Sequence, residues 1–283
     1  MPAAPRPPGQ RVILAREGHG ASGRIVEYGL PVLRGIAIDH PSLIVVLKGT
    51  KTLRWDGHSC RIEAGEAVAL ASGGLFDVEN HPAPDGEYQA SWFAWHGDAL
   101  AAHAPAVGSR PVRDMLLLGA VEPAFMASFE HAREAIGDAV GVPDAIARHR
   151  LAELLAWIAL RGGHFATNPQ ASVKQRVRAL LGRAPEQDWS AAAVASALAM
   201  SEATLRRRLT AEASSLTSLL VDVRMSLALS LLQSTDRPIV QIAQDAGYAS
   251  PSRFAVRFRE RFGFAPTAVR GHQRDGASRP GAA

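Results

Sequence analysis

Ile242-Ala243-Gln244-Asp245-Ala246-Gly247-Tyr248-Ala249-Ser250 decides the reading of this chain, because a near copy, Val194-Ala195-Ser196-Ala197-Leu198-Ala199-Met200-Ser201, stands 48 to 49 residues earlier. Leu205 and Leu209 follow the first copy, and Phe254 and Phe258 follow the second, at an offset of 49. Each copy reads as a short helix, a turn, and a second helix opened by a serine cap. Ala243 lets two helices approach closely, and Gly247 supplies the positive φ of a tight turn. Ala199 stands where the second copy has Gly247, so that turn is strained by about 1 kcal/mol or built differently. The pair predicts two helix-turn-helix units. A plain helical bundle with an accidental repeat is disfavoured by the shared spacing and by the charge of this region.

That charge is lopsided. The 283-residue chain carries a formal +4, but residues 1–170 hold 15 basic and 18 acidic side chains, and residues 171–283 hold 16 and 9. A basic second half facing an acidic first half points to an anionic polymer as partner of the second half. Between the copies, Leu216, Leu219, Leu220, Val223, Leu227 and Leu231 fall on one helical face and predict a core helix. About 17 residues at 1.5 Å each span roughly 26 Å. With the flanking helices added, the two recognition helices stand ~34 Å apart, one turn of DNA. The expected site is then two short blocks within about 17–20 base pairs.

Residues 172–271 resemble the DNA-binding domain of AraC/XylS-type transcriptional regulators. The resemblance runs through Trp189, Val194-Ala195, Met200-Ser201, Leu205-x-Arg207, Arg224-x-x-x-Ala228-x-x-Leu231-Leu232, Ile239-x-x-Ile242-Ala243, Gly247-Tyr248, Ser252-x-Phe254, Phe258, Gly263-Phe264-x-Pro266 and Arg270. It implies that Ala203, Arg206 and Arg207 face bases from the first recognition helix, and Ser252, Arg253 and Val256 from the second. Ser201, Arg208, Ser250, Arg257 and Arg259 are phosphate candidates, and Arg261 is either a phosphate contact or solvated. The chain departs from the family at Val256, where a polar residue is usual, and at Val269, where tyrosine is frequent. A valine touches a thymine methyl but makes no bidentate contact to guanine. The first helix is therefore expected to discriminate more strongly.

The amino-terminal half reads as short strands. Leu43-Ile-Val-Val-Leu is a buried strand, Asp56-Gly57 a hairpin turn, and Ser59–Ile62, Ala67–Ala71 and Tyr88–Trp95 are further strands. Helices follow over Val121–Gly137 and Asp144–Leu160, the latter with an apolar stripe through Ile146, Leu151, Leu154, Leu155, Ile158 and Ala159. That stripe is read as a homodimer contact in preference to packing on the strands. The family resemblance implies a cupin-like sensory domain here. The expected fold class is α+β with two domains: a small antiparallel β-barrel, cupin-like, with trailing helices, then an all-α domain with two helix-turn-helix units. The boundaries are a disordered tail 1–10, a sensory and dimerisation domain 11–161, a linker 162–171, the DNA-binding domain 172–271 and a flexible tail 272–283.

One cysteine, Cys60, excludes a disulfide framework. His40, His58, His81, His96 and His103 are dispersed without a His-x-His pair, so no metal and no other cofactor is expected. Trp92 and Phe93 point to opposite faces of their strand. No apolar run of membrane-spanning length and no apolar leader stand out, so no membrane partner is expected. The resemblance implies a cytoplasmic regulator, an activator, with promoter DNA and RNA polymerase as partners and an unidentified small-molecule or protein effector. The alternatives are a metal-dependent cupin enzyme with accessory DNA binding, and a regulator controlled by a protein partner.

Overall fold

The computed structural model describes residues 13–29, 32–96, 99–100, 108–166 and 172–269; the expected tails 1–10 and 272–283, His103 and Arg270 lie outside them. The strands are β1 (Leu14–Arg16), β2 (Gly20–Glu27), β3 (Leu33–Ala37), β4 (Ser42–Lys48), β5 (Thr50–Trp55), β6 (His58–Ile62), β7 (Glu66–Leu70), β8 (Leu75–His81), β9 (Tyr88–Trp95), β10 (Arg110–Pro111), β11 (Met115–Ala120) and β12 (Gly163–His164). A six-stranded sheet in the order β1-β2-β9-β4-β7-β11 faces a four-stranded sheet in the order β3-β8-β5-β6, and all pairings within both are antiparallel. The turn between β5 and β6 holds Asp56 at φ 43° and Gly57 at φ 78°, the two positive φ values of a tight hairpin.

The apolar run in β4 is explained by burial on both faces. Val46 packs between the sheets with Leu53, Ile62, Val68, Phe76 and Tyr88. Leu43 and Val45 point the other way, under α1 (Pro123–Gly137) and α2 (Asp144–Leu160). Phe93 is fully buried on that helical side, whereas Trp92 is only partly buried. This packing corrects the reading of the α2 stripe as the dimer contact. Leu151, Leu154, Leu155 and Ile158 are buried against the sheet and α1, and only Ile146 and Leu160 of that helix are exposed large apolar residues. The stripe is occupied within the chain. The expected linker also begins late: Gly163–His164 pairs in parallel with Arg110–Pro111, and Phe165 is buried in the same core. Residues 162–166 therefore pack with the amino-terminal domain, and 167–171 lie outside the described residues.

The carboxyl-terminal helices are α3 (Val173–Arg183), α4 (Ala191–Ala197), α5 (Glu202–Ala211), α6 (Leu216–Ser234), α7 (Ile239–Asp245) and α8 (Pro251–Phe262). Among the described residues α6 is the one helix long and apolar enough to cross a membrane. Its apolar side chains are instead divided between two cores. Leu219 and Val223 join Val177, Leu181, Val194 and Leu205 in the first. Met225, Ala228, Leu229 and Leu232 join Ile242, Phe254 and Phe258 in the second. Leu33 of β3 is buried in that second core, with Ile36 and Val78 packed against it.

The two domains also share polar contacts. Lys51 donates to Asn80 Oδ1 at 2.6 Å, Asn80 Nδ2 donates to Glu27 Oε2 at 2.9 Å, and Gln233 Nε2 of α6 donates to Glu27 Oε1 at 2.5 Å. All four side chains are buried. Burial pushes the Lys51 ammonium down to about 8, against the opposing pull of Glu27.

Candidate nucleic-acid interface

The duplication is realised bond by bond. In the first turn the N–H of Ala199 donates to Ser196 O at 3.0 Å and that of Met200 to Ala195 O at 3.0 Å. In the second the N–H of Gly247 donates to Gln244 O at 2.8 Å and that of Tyr248 to Ala243 O at 2.8 Å. Ala199 takes φ 53° and Gly247 φ 76°. The first unit builds the same turn without glycine. The step in offset from 48 to 49 falls between Met200 and Ser201, where the second unit carries one more residue, Ala249, before its cap.

Ser201 Oγ accepts from the Thr204 N–H at 3.2 Å, and Ser250 Oγ from the Arg253 N–H at 3.4 Å. These two phosphate candidates are thus the helix caps of α5 and α8. Leu205 and Leu209 anchor α5 in the first core, and Phe254 and Phe258 anchor α8 in the second. At about 100° per residue, Ala203 and Arg207 then lie opposite the anchors of α5 and Arg206 on one flank of the buried stripe, and all three are exposed. Arg208, also exposed, lies on the flank of the buried stripe. On α8, Ser252, Arg253 and Val256 are exposed, Val256 by 58%. Thr210 is exposed on the outward side of α5 as well; a polar side chain three residues beyond Arg207 was the signal for it.

Among the described residues Arg206, Arg207, Arg208, Arg253 and Arg259 form no ion pair with an acidic side chain. Two other arginines differ. Arg257 pairs with Glu260 at 2.8 Å, one turn along the same exposed face. Arg261 is turned inward: it is 22% exposed and reaches Asp222 Oδ1 at 3.2 Å, Arg34 O at 2.8 Å and Gly35 O. It is therefore neither solvated nor placed for phosphate. Its position on α8, just beside the Phe254–Phe258–Phe262 stripe, explains the inward course.

The units are braced from behind. The Glu212 carboxylate accepts from the N–H groups of Val173 and Lys174 at 3.1 and 3.0 Å, seating the start of α3 on the end of α5. Arg224 of α6 donates to Pro185 O at 2.8 Å and Gln187 O at 3.2 Å, and its guanidinium lies 5.7 Å from the centre of the Tyr248 ring. One side chain thus spans both units.

The amino-terminal candidates come together only in part. The rings of His40 and His96 lie 5.3 Å apart, and no group of three or more His, Cys, Asp or Glu suited to a metal occurs among the described residues. The His58 ring stacks on Trp55, and the His81 ring meets Thr52 Oγ1 at 3.1 Å.

Residues 194–272 match the family model described as a helix-turn-helix domain. The HTH-type transcriptional regulator YdeO of Escherichia coli K12 is 33% identical over 103 residues, 36% of this chain and 40% of that protein. The urease operon transcriptional activator of Escherichia coli is 32% identical over 106 residues, 38% of this chain and 36% of its own length. The chain thus spans about two fifths of the length of these relatives. The fold as a whole is similar to that of unsaturated fatty acid-bound ToxT from Vibrio cholerae, with a TM-score of 0.63 at 15% identity, covering 88% of this chain and 94% of that one. The carboxyl-terminal region of this chain, with its paired units, is a helix-turn-helix domain of the AraC/XylS type.

Proposed function

We propose that the chain is a sequence-specific DNA-binding transcriptional regulator, with an amino-terminal domain that senses a signal. The observation that carries this reading is the pair of equivalent recognition helices, each fixed by a serine cap and two buried anchors. Each presents arginines that no acidic side chain neutralises among the described residues. Uncompensated guanidinium groups on a helix face suit phosphate oxygens and guanine edges. In this reading Ala203, Arg206 and Arg207 read one block of bases, and Ser252, Arg253 and Val256 read the next. Arg208 and Arg259 hold phosphates, joined by Arg257 once Glu260 releases it. Ser201 and Ser250 aim the helices, and their exposed caps lie beside the backbone.

Activation through RNA polymerase, in the cytoplasm, is the mode we assign; the transcription regulators among the relatives, one of them named as an activator, support it. An effector, small molecule or protein, would act through the amino-terminal domain. Selection of bound sequences from a random duplex pool with the full chain tests the reading. It should return two conserved blocks centred about one helical turn apart. A single block, or no enrichment, overturns it.

A further inference from the structure

The two reading units are tied to the amino-terminal domain by different chemistry. The second is joined through a shared apolar core containing Leu33 and through the buried Glu27–Gln233 bond. Among the described residues the first core contains none from the amino-terminal half. Its charged tie is Arg178 of α3, 7% exposed, which donates from Nε to Asp39 Oδ1 at 2.6 Å. Arg178 also lies 3.6 Å from Asp222 Oδ2, and Arg261 of the second unit reaches the other oxygen of the same carboxylate. Arg261 in turn holds Arg34 O and Gly35 O. One short segment, residues 34–39, thus grips a helix of each unit, and Asp222 in the middle of α6 joins the two grips.

We propose that the Asp39–Arg178 pair is a latch through which the amino-terminal domain sets the pose of the first reading unit relative to the second. The second unit is held by apolar burial over several side chains, which does not release stepwise. The first is held by a largely buried ion pair at the seam, and losing one partner leaves the other charge buried and poorly compensated. A shift of the 34–39 segment that withdraws Asp39 frees α3 from the amino-terminal domain, and α4, α5 and the first turns of α6, which share the first core with it, move with α3. Affinity for one block of bases is then unchanged, while the preference for one spacing between blocks is lost.

This inference deepens the regulator reading and rests on it, so its test has one arm without DNA. In the full chain with Cys60→Ser, nitroxide labels at Ser196→Cys and Gln241→Cys, both exposed and on the first helix of each unit, report the distance between units by electron double resonance. The latch predicts one narrow distance population with Asp39 present, a broadened or second population in Asp39→Asn and in Arg178→Gln, and recovery of the narrow one in Asp39→Glu. With unlabelled protein, moving the two blocks apart by two base pairs should weaken the parent at least tenfold and Asp39→Asn less than threefold. Both should bind a single block within twofold of each other. Unchanged distances in both variants, with helicity retained, overturn the latch, as does an equal loss by Asp39→Asn on single-block and two-block DNA. If the parent selects no DNA at all, the regulator reading fails, and the label distances alone decide whether Asp39 poses the first unit.

Discussion

Ala199 and Gly247 occupy the same left-handed backbone position 48 residues apart, at φ 53° and 76°, and Gly247 is crowded where a side chain would begin. A Cβ there would stand 2.8 Å from the Arg224 guanidinium that braces both units. An L-residue in this conformation costs roughly 1–2 kcal/mol, and glycine gives back about 0.4–1 kcal/mol through the greater freedom of its unfolded chain. Ala199→Gly should therefore stabilise the chain by between zero and about 1.6 kcal/mol. Gly247→Ala should destabilise it by more than about 1 kcal/mol, because Arg224 must also move. Urea unfolding of the two variants checks the asymmetry.

Arg207 and Val256 stand at corresponding outward positions of α5 and α8 but offer different chemistry. Arg207→Ala should cost about 1–3 kcal/mol on the selected site and relax the preference at one base pair. Val256→Ala, which gives up only apolar contact, should cost less. Quantitative binding titrations on the selected site and single-base variants decide this. A larger loss from Val256→Ala would reverse the ranking of the two helices.

Unpaired arginines also set the salt response. Log affinity should fall linearly with log salt, by ~0.9 for each phosphate neutralised. Arg208→Ala should lower affinity about equally across sequences and reduce that slope by about 1. Glu260→Gln frees Arg257 of its ion pair and should raise affinity at low salt. Binding measured from low to moderate salt gives all three slopes.

How far the sequence was legible follows from where its signals were local. The helix over Asp144–Leu160, the Asp56-Gly57 turn and both serine-capped recognition helices were read from neighbouring residues. The strand Gly20–Glu27 is not legible as one. Its glycines break the alternation of side chains, and Gly23 leaves room for the Trp92 indole, whose ring carbon lies 2.9 Å from where a Cβ would be. The fate of Arg261 was illegible for another reason: its partners, Arg34 and Gly35, are more than 220 residues away. The α2 stripe showed an apolar face and not what covers it. The six residues that the resemblance assigns to bases are all exposed, and binding to DNA is what the experiments above test.

Two titratable groups, the partly buried His40 and the buried Lys51, predict how stability depends on pH. His40 is held below its ordinary 6.5 chiefly by burial, then by the His96 ring, with Arg183 adding to this and Asp39 opposing it. The unfolded chain therefore takes up this proton first, and stability should decline as pH falls below 6.5. His40→Gln should flatten that decline. Lys51 titrates near 8 in the fold and 10.5 when unfolded, so between those values the unfolded chain again holds more protons and stability should rise with pH. Thermal melts from pH 5 to 10.5 test both windows.

Leu33 ties the seam between the domains to solubility. Because this leucine is buried in one core with Met225, Phe254 and Phe258, severing the chain after residue 166 bares an oily surface on the helix-turn-helix domain, and that piece should self-associate. Grafting a foreign sensor onto this domain, in the laboratory or through gene fusion, then works only if the newcomer brings its own plug for that surface.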